Sequence, residues 1–212
     1  MKKFVVLTVM VLVSLCVKAQ VSVSGDCAYY TKNLSTFTGT MFSEEAAMVS
    51  HLNTSMEIKD FSLSAAYSGH YLTHRLEDND SHFHMLDMYV SYKVKDLNLS
   101  VGYEATYSDY KGQQDEFGHG VFAMAMYAKN KVSSNFIFFS DPKIENRYYI
   151  GSLNVEVMKN VSVYGLAGYT NTKTSPLYGL IGVKYTGKFF VGTYYVLDKN
   201  NPGPVVCAGV TF

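Results

Sequence analysis

The sequence has no apolar run long enough for a membrane-spanning helix. Its greasiest stretch, Phe4 to Val17, is shorter than the roughly 20 residues such a helix needs. It has no cluster of Lys and Arg either, and phosphate-backbone binding needs one, so nucleic acid is excluded as a partner. No cofactor motif is present, and no cofactor is expected. Tryptophan is missing altogether and there are only four prolines, so long extended segments can run without interruption.

The amino terminus has a recognisable order: Met1-Lys2-Lys3, the stretch Phe4 to Val17, then Lys18-Ala19. Charge, grease and a small residue in that order describe a secretory signal peptide. Cleavage after Ala19 is expected, leaving residues 20–212 as one domain. Cys16 raises lipoprotein processing, but Leu15 occupies the place where a small residue is wanted, and Gln20 offers an ordinary cleavage site. Loss of Lys2, Lys3 and Lys18 from a chain with 18 Lys+Arg and 18 Asp+Glu leaves the remainder mildly acidic. Cys27 and Cys207 survive processing, and their strand positions put them on opposite faces, so free thiols are expected.

What the chain has in quantity is Tyr and Phe, 18 and 13 residues, within 48 % hydrophobic residues that are finely mixed with polar ones. The mixing has a period of two. Phe61, Leu63, Ala65, Tyr67 and Tyr71 alternate with Ser62, Ser64, Ser68 and His70; Leu97, Leu99, Val101, Tyr103 and Tyr107 alternate with Asn98, Ser100, Gly102, Glu104, Thr106 and Ser108. Each pattern is a strand with one apolar and one polar face. The tight connections Lys59-Asp60, Lys95-Asp96, Asn130-Lys131, Lys159-Asn160 and Gly187-Lys188 alternate with longer polar linkers centred on residues 33–45, 75–82, 111–117, 141–146, 172–177 and 199–203. Between them lie twelve strands, near 21–32, 46–58, 61–74, 83–94, 97–110, 118–129, 132–140, 147–158, 161–171, 178–186, 189–198 and 204–212. An even count with alternating short and long connections predicts an all-β transmembrane antiparallel up-and-down barrel with both termini periplasmic. Two-residue turns at Lys59-Asp60 and Lys95-Asp96 keep apolar faces matched across both hairpins. Around Asn130-Lys131, Phe122, Met124 and Met126 compete with Val121, Ala123 and Ala125 for the outward face, and the pattern leaves this open.

Alternation alone does not distinguish an apolar core from an apolar exterior. Aromatic residues of the greasy face decide for lipid. Phe61, Tyr92, Tyr185, Phe189 and Phe212 lie near the short turns, while Tyr71, Tyr107, Tyr149, Tyr169 and Tyr195 lie toward the long loops. Two levels of amphipathic rings with aliphatic residues between them are interfacial girdles. The polar face carries Asp87, Tyr89, Lys93, Glu104, Glu156 and Lys184 as candidate lumen-lining residues, and Tyr164, Phe190 and Tyr194 also point inward. A soluble lipocalin-like barrel, with the greasy face inside, would not need the girdles.

The ending Val206-Cys207-Ala208-Gly209-Val210-Thr211-Phe212 resembles the assembly signal of outer-membrane barrels, with Val210 and Phe212 as its alternating apolar residues. The runs Asp87-Met88-Tyr89-Val90-Ser91-Tyr92 and Leu99-Ser100-Val101-Gly102-Tyr103 with Tyr107, then Phe138-Phe139-Ser140-Asp141-Pro142, Tyr148-Tyr149 and Gly168-Tyr169, resemble the TorF-type porin family of small Gram-negative outer-membrane β-barrels. The resemblance covers nearly all of residues 20–212 and implies a channel in the cell outer membrane, with outer-membrane lipid and the barrel assembly machinery as partners.

Three chemistries compete for the polar residues. His70, His74, His82, His84 and His119 invite a metal site, but the strand faces split them, and no metal is expected. His51, Asn53 and Ser55 share one inward strand face, the residue types of a hydrolase, but they face away from lipid, so no catalytic residue and no enzyme activity are expected. Passive conduction of small polar solutes or ions is the leading expectation, with weak ion selectivity from a lumen of mixed sign. The alternative is a non-conducting barrel serving as scaffold or binding through its loops.

Overall fold

The computed structural model describes residues 20–34, 41–43, 46–72, 81–110, 116–141, 146–171, 177–198 and 202–212. The expected leader and His74 lie outside these residues. Fourteen strands are β1 (Gln20–Tyr30), β2 (Asn33–Leu34), β3 (Met41–Ser43), β4 (Ala47–Ile58), β5 (Phe61–Leu72), β6 (Ser81–Val94), β7 (Leu97–Tyr110), β8 (Glu116–Lys129), β9 (Val132–Asp141), β10 (Asn146–Met158), β11 (Val161–Thr170), β12 (Leu177–Thr186), β13 (Phe189–Val196) and β14 (Gly203–Thr211). Twelve of them, β1 and β4 to β14, form one closed antiparallel barrel in which each strand neighbours the next, with β1 paired to both β4 and β14. Their bounds agree with the expected strands within two residues at each end. The short hairpin of β2 and β3 falls where the sequence pattern gives only a linker.

Closure rests on one seam. β1 runs alongside β14 from Asp26 against Thr211 to Tyr30 against Cys207, and beyond that Gly25 and Phe212 each donate a backbone N–H to the other's carbonyl at 2.9 Å. The tight turns carry Lys59, Lys95, Asn130 and Asn160 at φ between 54° and 65°. Asn adopts this left-handed region readily and Lys less so. Turn geometry therefore overrides residue preference at Lys59 and Lys95.

The pleat sorts the side chains. Outward stand Phe61, Leu63, Val90, Tyr92, Val101, Phe136, Ile181, Phe189, Val191 and Phe212, all exposed, with Val101 at 65 % and Phe212 at 71 %. An apolar surface continuous around the barrel is far beyond what a soluble monomer shows to water, and it suits lipid. The unresolved hairpin settles with Met124 opposite Ile137 on the inside and Ala125 opposite Phe136 on the outside. Small alanines there leave room for the flanking Phe136 and Phe138 rings, which makes an apolar exterior without bulk on both strands. Cys27 lies outward and Cys207 inward, and neither is bridged.

The interior has two sectors. From β10 through β14 and onto β1 and β4, Ile150, Leu166, Leu180, Phe190, Tyr194, Val196, Val205, Ala28 and Val49 pack together and are almost fully buried. From β4 to β7 the inward face is Asn53, Ser55, Ser62, Ser64, Ser91, Asn98 and Ser100. One side of the lumen is thus filled and apolar, and the other is lined with small polar groups.

Candidate functional site

The polar sector opens toward the short turns as a cavity of about 260 Å³ lined by Ser22, Ser24, Asn53, Ser55, Glu57, Ser62, Ser64, Tyr89, Ser91, Asn98 and Met126, among others. Alternation on β1 and β4 to β8 brings these residues to one wall, since antiparallel partners share a face. Ser22 and Ser55 hydroxyls meet at 2.7 Å, and Ser91 and Ser100 at 2.8 Å. Hydroxyls that bond each other across the ladder keep the wall polar without filling it. Asn98 Oδ1 is buried with no hydrogen-bond partner among the described residues.

Above this cavity lies a belt of ionisable groups. Asp26 accepts from His51 Nδ1 at 2.8 Å, as fixed by the opposition of the two residues on β1 and β4. The His51 and His70 rings meet edge to face at 6.4 Å. Ser68 Oγ and His70 Nε2 are 3.0 Å apart, and His70 packs on Phe83 at 5.7 Å. Asp87 and Glu104 oppose each other directly across β6 and β7 and are hydrogen-bonded. Asp87 Oδ1 is buried with no partner among the described residues. The polar sector continues past this pair along Thr106, Ser108 and Gly118.

Each residue marked in the sequence now has a place. Asp87, Tyr89, Lys93, Glu104, Glu156 and Lys184 lie on the inward face. Only Asp87 and Glu104 come together; Lys184 Nζ instead sits 4.4 Å over the Phe190 ring, across the barrel's apolar sector. Val210 and Phe212 lie outward on the closing seam. His70 points inward, while His82, His84 and His119 point outward. His51, Asn53 and Ser55 do not form a unit, because His51 is taken by Asp26 and Ser55 by Ser22.

Two things were missed. Ser68 and His70, two apart on the inward face of β5, are in contact at 3.0 Å, and a Ser-x-His step on a polar strand face was the available signal. These are parts of nucleophile–base chemistry, yet Ser68 is 5 % and His70 2 % exposed, and the carboxylate orients His51 rather than His70. The lumen is also more acidic than the sequence reading allowed. Asp26, Glu57 and Asp141 join Asp87, Glu104 and Glu156 on the inward face against Lys93 and Lys184. Both signs are therefore present in the lumen, with carboxylates in excess.

No protein-family model and no curated protein matches the sequence. Among solved structures, the chain is similar to the KdgM porin in complex with disordered oligogalacturonate, at 10 % identity and TM-score 0.58, over 89 % of this chain and 98 % of that one. It is similar to outer membrane phospholipase A from Escherichia coli, at 10 % identity and TM-score 0.60, over 89 % of each chain. The Salmonella typhi phospholipase dimer with bound calcium gives 11 % identity and TM-score 0.58, over 89 % and 90 %. These likenesses establish the fold, that of outer-membrane barrels including porins. They also correct one expectation: an enzyme shares this barrel, so absence of catalysis does not follow from the architecture.

Proposed function

We propose that this chain is an outer-membrane porin-type channel of narrow bore that passes small cations and small neutral polar solutes. The observation that carries the reading is the acidic polar sector, which runs from the cavity at Ser22, Asn53 and Ser62 past Asp87 and Glu104 to Thr106 and Ser108. Small hydroxyls give a wet path, and the excess of carboxylates favours positive charge along it. The opposite sector is filled by Phe190, Tyr194, Leu166 and Leu180, which keeps the path thin. The KdgM porin is named with an oligogalacturonate, a polyanion; the sign of the lumen here argues against such a solute. Proteoliposomes carrying the mature chain test this. Entry of small amines faster than matched carboxylates, with oligogalacturonate excluded, is the expected result. Equal or faster entry of carboxylates overturns it.

A second reading has its own observation. Val49, Val196, Val205 and Cys207 are at most 1 % exposed on the loop-side half of the lumen, which favours a barrel closed at that level. No solute entry from protein shown to be folded selects this reading.

A further inference from the structure

Ligand cavities are usually lined by apolar side chains with a few polar ones set among them. The cavity at the short-turn end reverses this. Apart from Tyr89 and Met126, every residue of its lining carries a hydroxyl, an amide or a carboxylate. Ser22, Ser24, Asn53 and Glu57 are exposed, and Ser55, Ser62 and Tyr89 are half-buried, so these groups are open to whatever occupies the lumen there.

Hydrogen-bonding capacity remains on this wall. The Ser22 and Ser55 hydroxyls share one bond at 2.7 Å, which takes a single O–H and leaves the second O–H and further lone pairs for a third group. The Asn53 amide offers two N–H donors and a carbonyl oxygen. Its partner on β5 is Ala66, too short to cover it. Asn98 Oδ1, buried with no partner among the described residues, is a further acceptor in the same lining.

Charge narrows the class of occupant. Among the described residues, Glu57 is the one charged side chain of the lining; Lys93 opposes Asn98 across β6 and β7 without joining it. A bare ion would give up its water to a wall that offers a single carboxylate. A neutral molecule whose hydroxyls both donate and accept matches hydroxyl and amide groups that do the same. Tyr89 adds a ring held edge to face by Phe122 at 5.9 Å. Phe122 reaches it over Gly102, where a Cβ would stand 2.5 Å from the Phe122 ring and 2.6 Å from Tyr89 Cβ. A sugar ring has hydroxyls around its rim and C–H bonds on its faces, so it meets the hydroxyl wall and the apolar surface of Tyr89 and Met126 together. The volume of about 260 Å³ lies just below the roughly 300 Å³ at which pockets for drug-sized ligands begin, which limits the occupant to a single ring.

We propose that this cavity binds a neutral monosaccharide, held by Ser22, Ser24, Asn53, Ser55 and Ser62 and resting on Tyr89. Such a site rests on the channel reading, since it needs the polar sector to be wet, and it gives the neutral solutes of that reading a chemical class.

The test uses folded residues 20–212 in detergent with 13C-methyl-labelled methionine, read at the Met126 signal, which Met126→Leu identifies by its loss. The probes are the methyl glycosides of glucose, galactose and mannose, with glycerol, glucuronate and putrescine beside them. A saturable Met126 shift with at least one glycoside is expected, weakened about fivefold by Asn53→Ala, which removes one hydrogen bond. No saturation with any of the three overturns the site. Equal or tighter binding of putrescine or glucuronate overturns the neutral class, and equal binding of glycerol overturns the ring. Should Asn53→Ala fail to fold, as judged by heat-dependent gel mobility, the wild-type ranking of the probes decides alone. Current through the same protein in a planar bilayer separates the site from the channel: saturation without current keeps the site and removes the channel, and current without saturation keeps the channel and removes the site.

Discussion

Replacing Asp87 and Glu104 separately and together gives a sharp prediction. The two side chains oppose each other across β6 and β7 and are hydrogen-bonded. Counted as one unit of negative charge facing the path, the pair is removed by the double variant, while Asp87→Asn or Glu104→Gln alone leaves one carboxyl group in place. For an ion passing about 5 Å away, a unit charge contributes about 0.8 kcal/mol in water-like surroundings, and about 0.5 kcal/mol once salt near 0.1 M screens it. This is about twofold for a cation and about twofold the other way for an anion, so the double variant lowers the cation-to-anion permeability ratio about fivefold. The assay is the reversal potential of the refolded barrel in a planar bilayer under a salt gradient. The reasoning is refuted if each single variant shifts the ratio as far as the double, or if the double variant conducts with wild-type selectivity.

Other outcomes follow from the packing. Gly102→Ala places a Cβ 2.5 Å from the Phe122 ring and 2.7 Å from the Met88 carbonyl, and overpacking of this kind costs about 1–3 kcal/mol, read as a lower urea midpoint. Deleting Phe212 removes both 2.9 Å bonds to Gly25 at the seam, at about 1 kcal/mol each, and lowers the fraction of heat-modifiable barrel in refolding. Cys207, 1 % exposed in the lumen, stays unlabelled by a water-soluble maleimide until the barrel is denatured, whereas a lipid-soluble one reaches Cys27 in the folded state.

The strand plan was legible because the side-chain period of a strand is two and the tight turns fix the register. Phe61 to Tyr71 and Leu97 to Tyr107 announce their faces without help from the rest of the chain. β8 and β9 did not, because Met and Ala are equally at home against lipid and against a packed lumen, and only the size match of Ala125 with Phe136 chooses. The seam residues Gly25 and Phe212 are nearly two hundred positions apart, and no local pattern joins them. Lumen acidity was hidden for a related reason: Asp141 is the last residue of β9 and Asp26 lies within β1 between Gly25 and Cys27, and their approach to the Glu104 side and to His51 depends on how β9 and β1 are placed around the closed barrel.

The most direct test of the channel account is single-channel recording of refolded residues 20–212 in a planar bilayer with a KCl gradient. Small discrete steps with a reversal potential on the cation-preferring side are the predicted result. Large ohmic steps that favour chloride, or silence from protein that runs as a folded barrel, would contradict it.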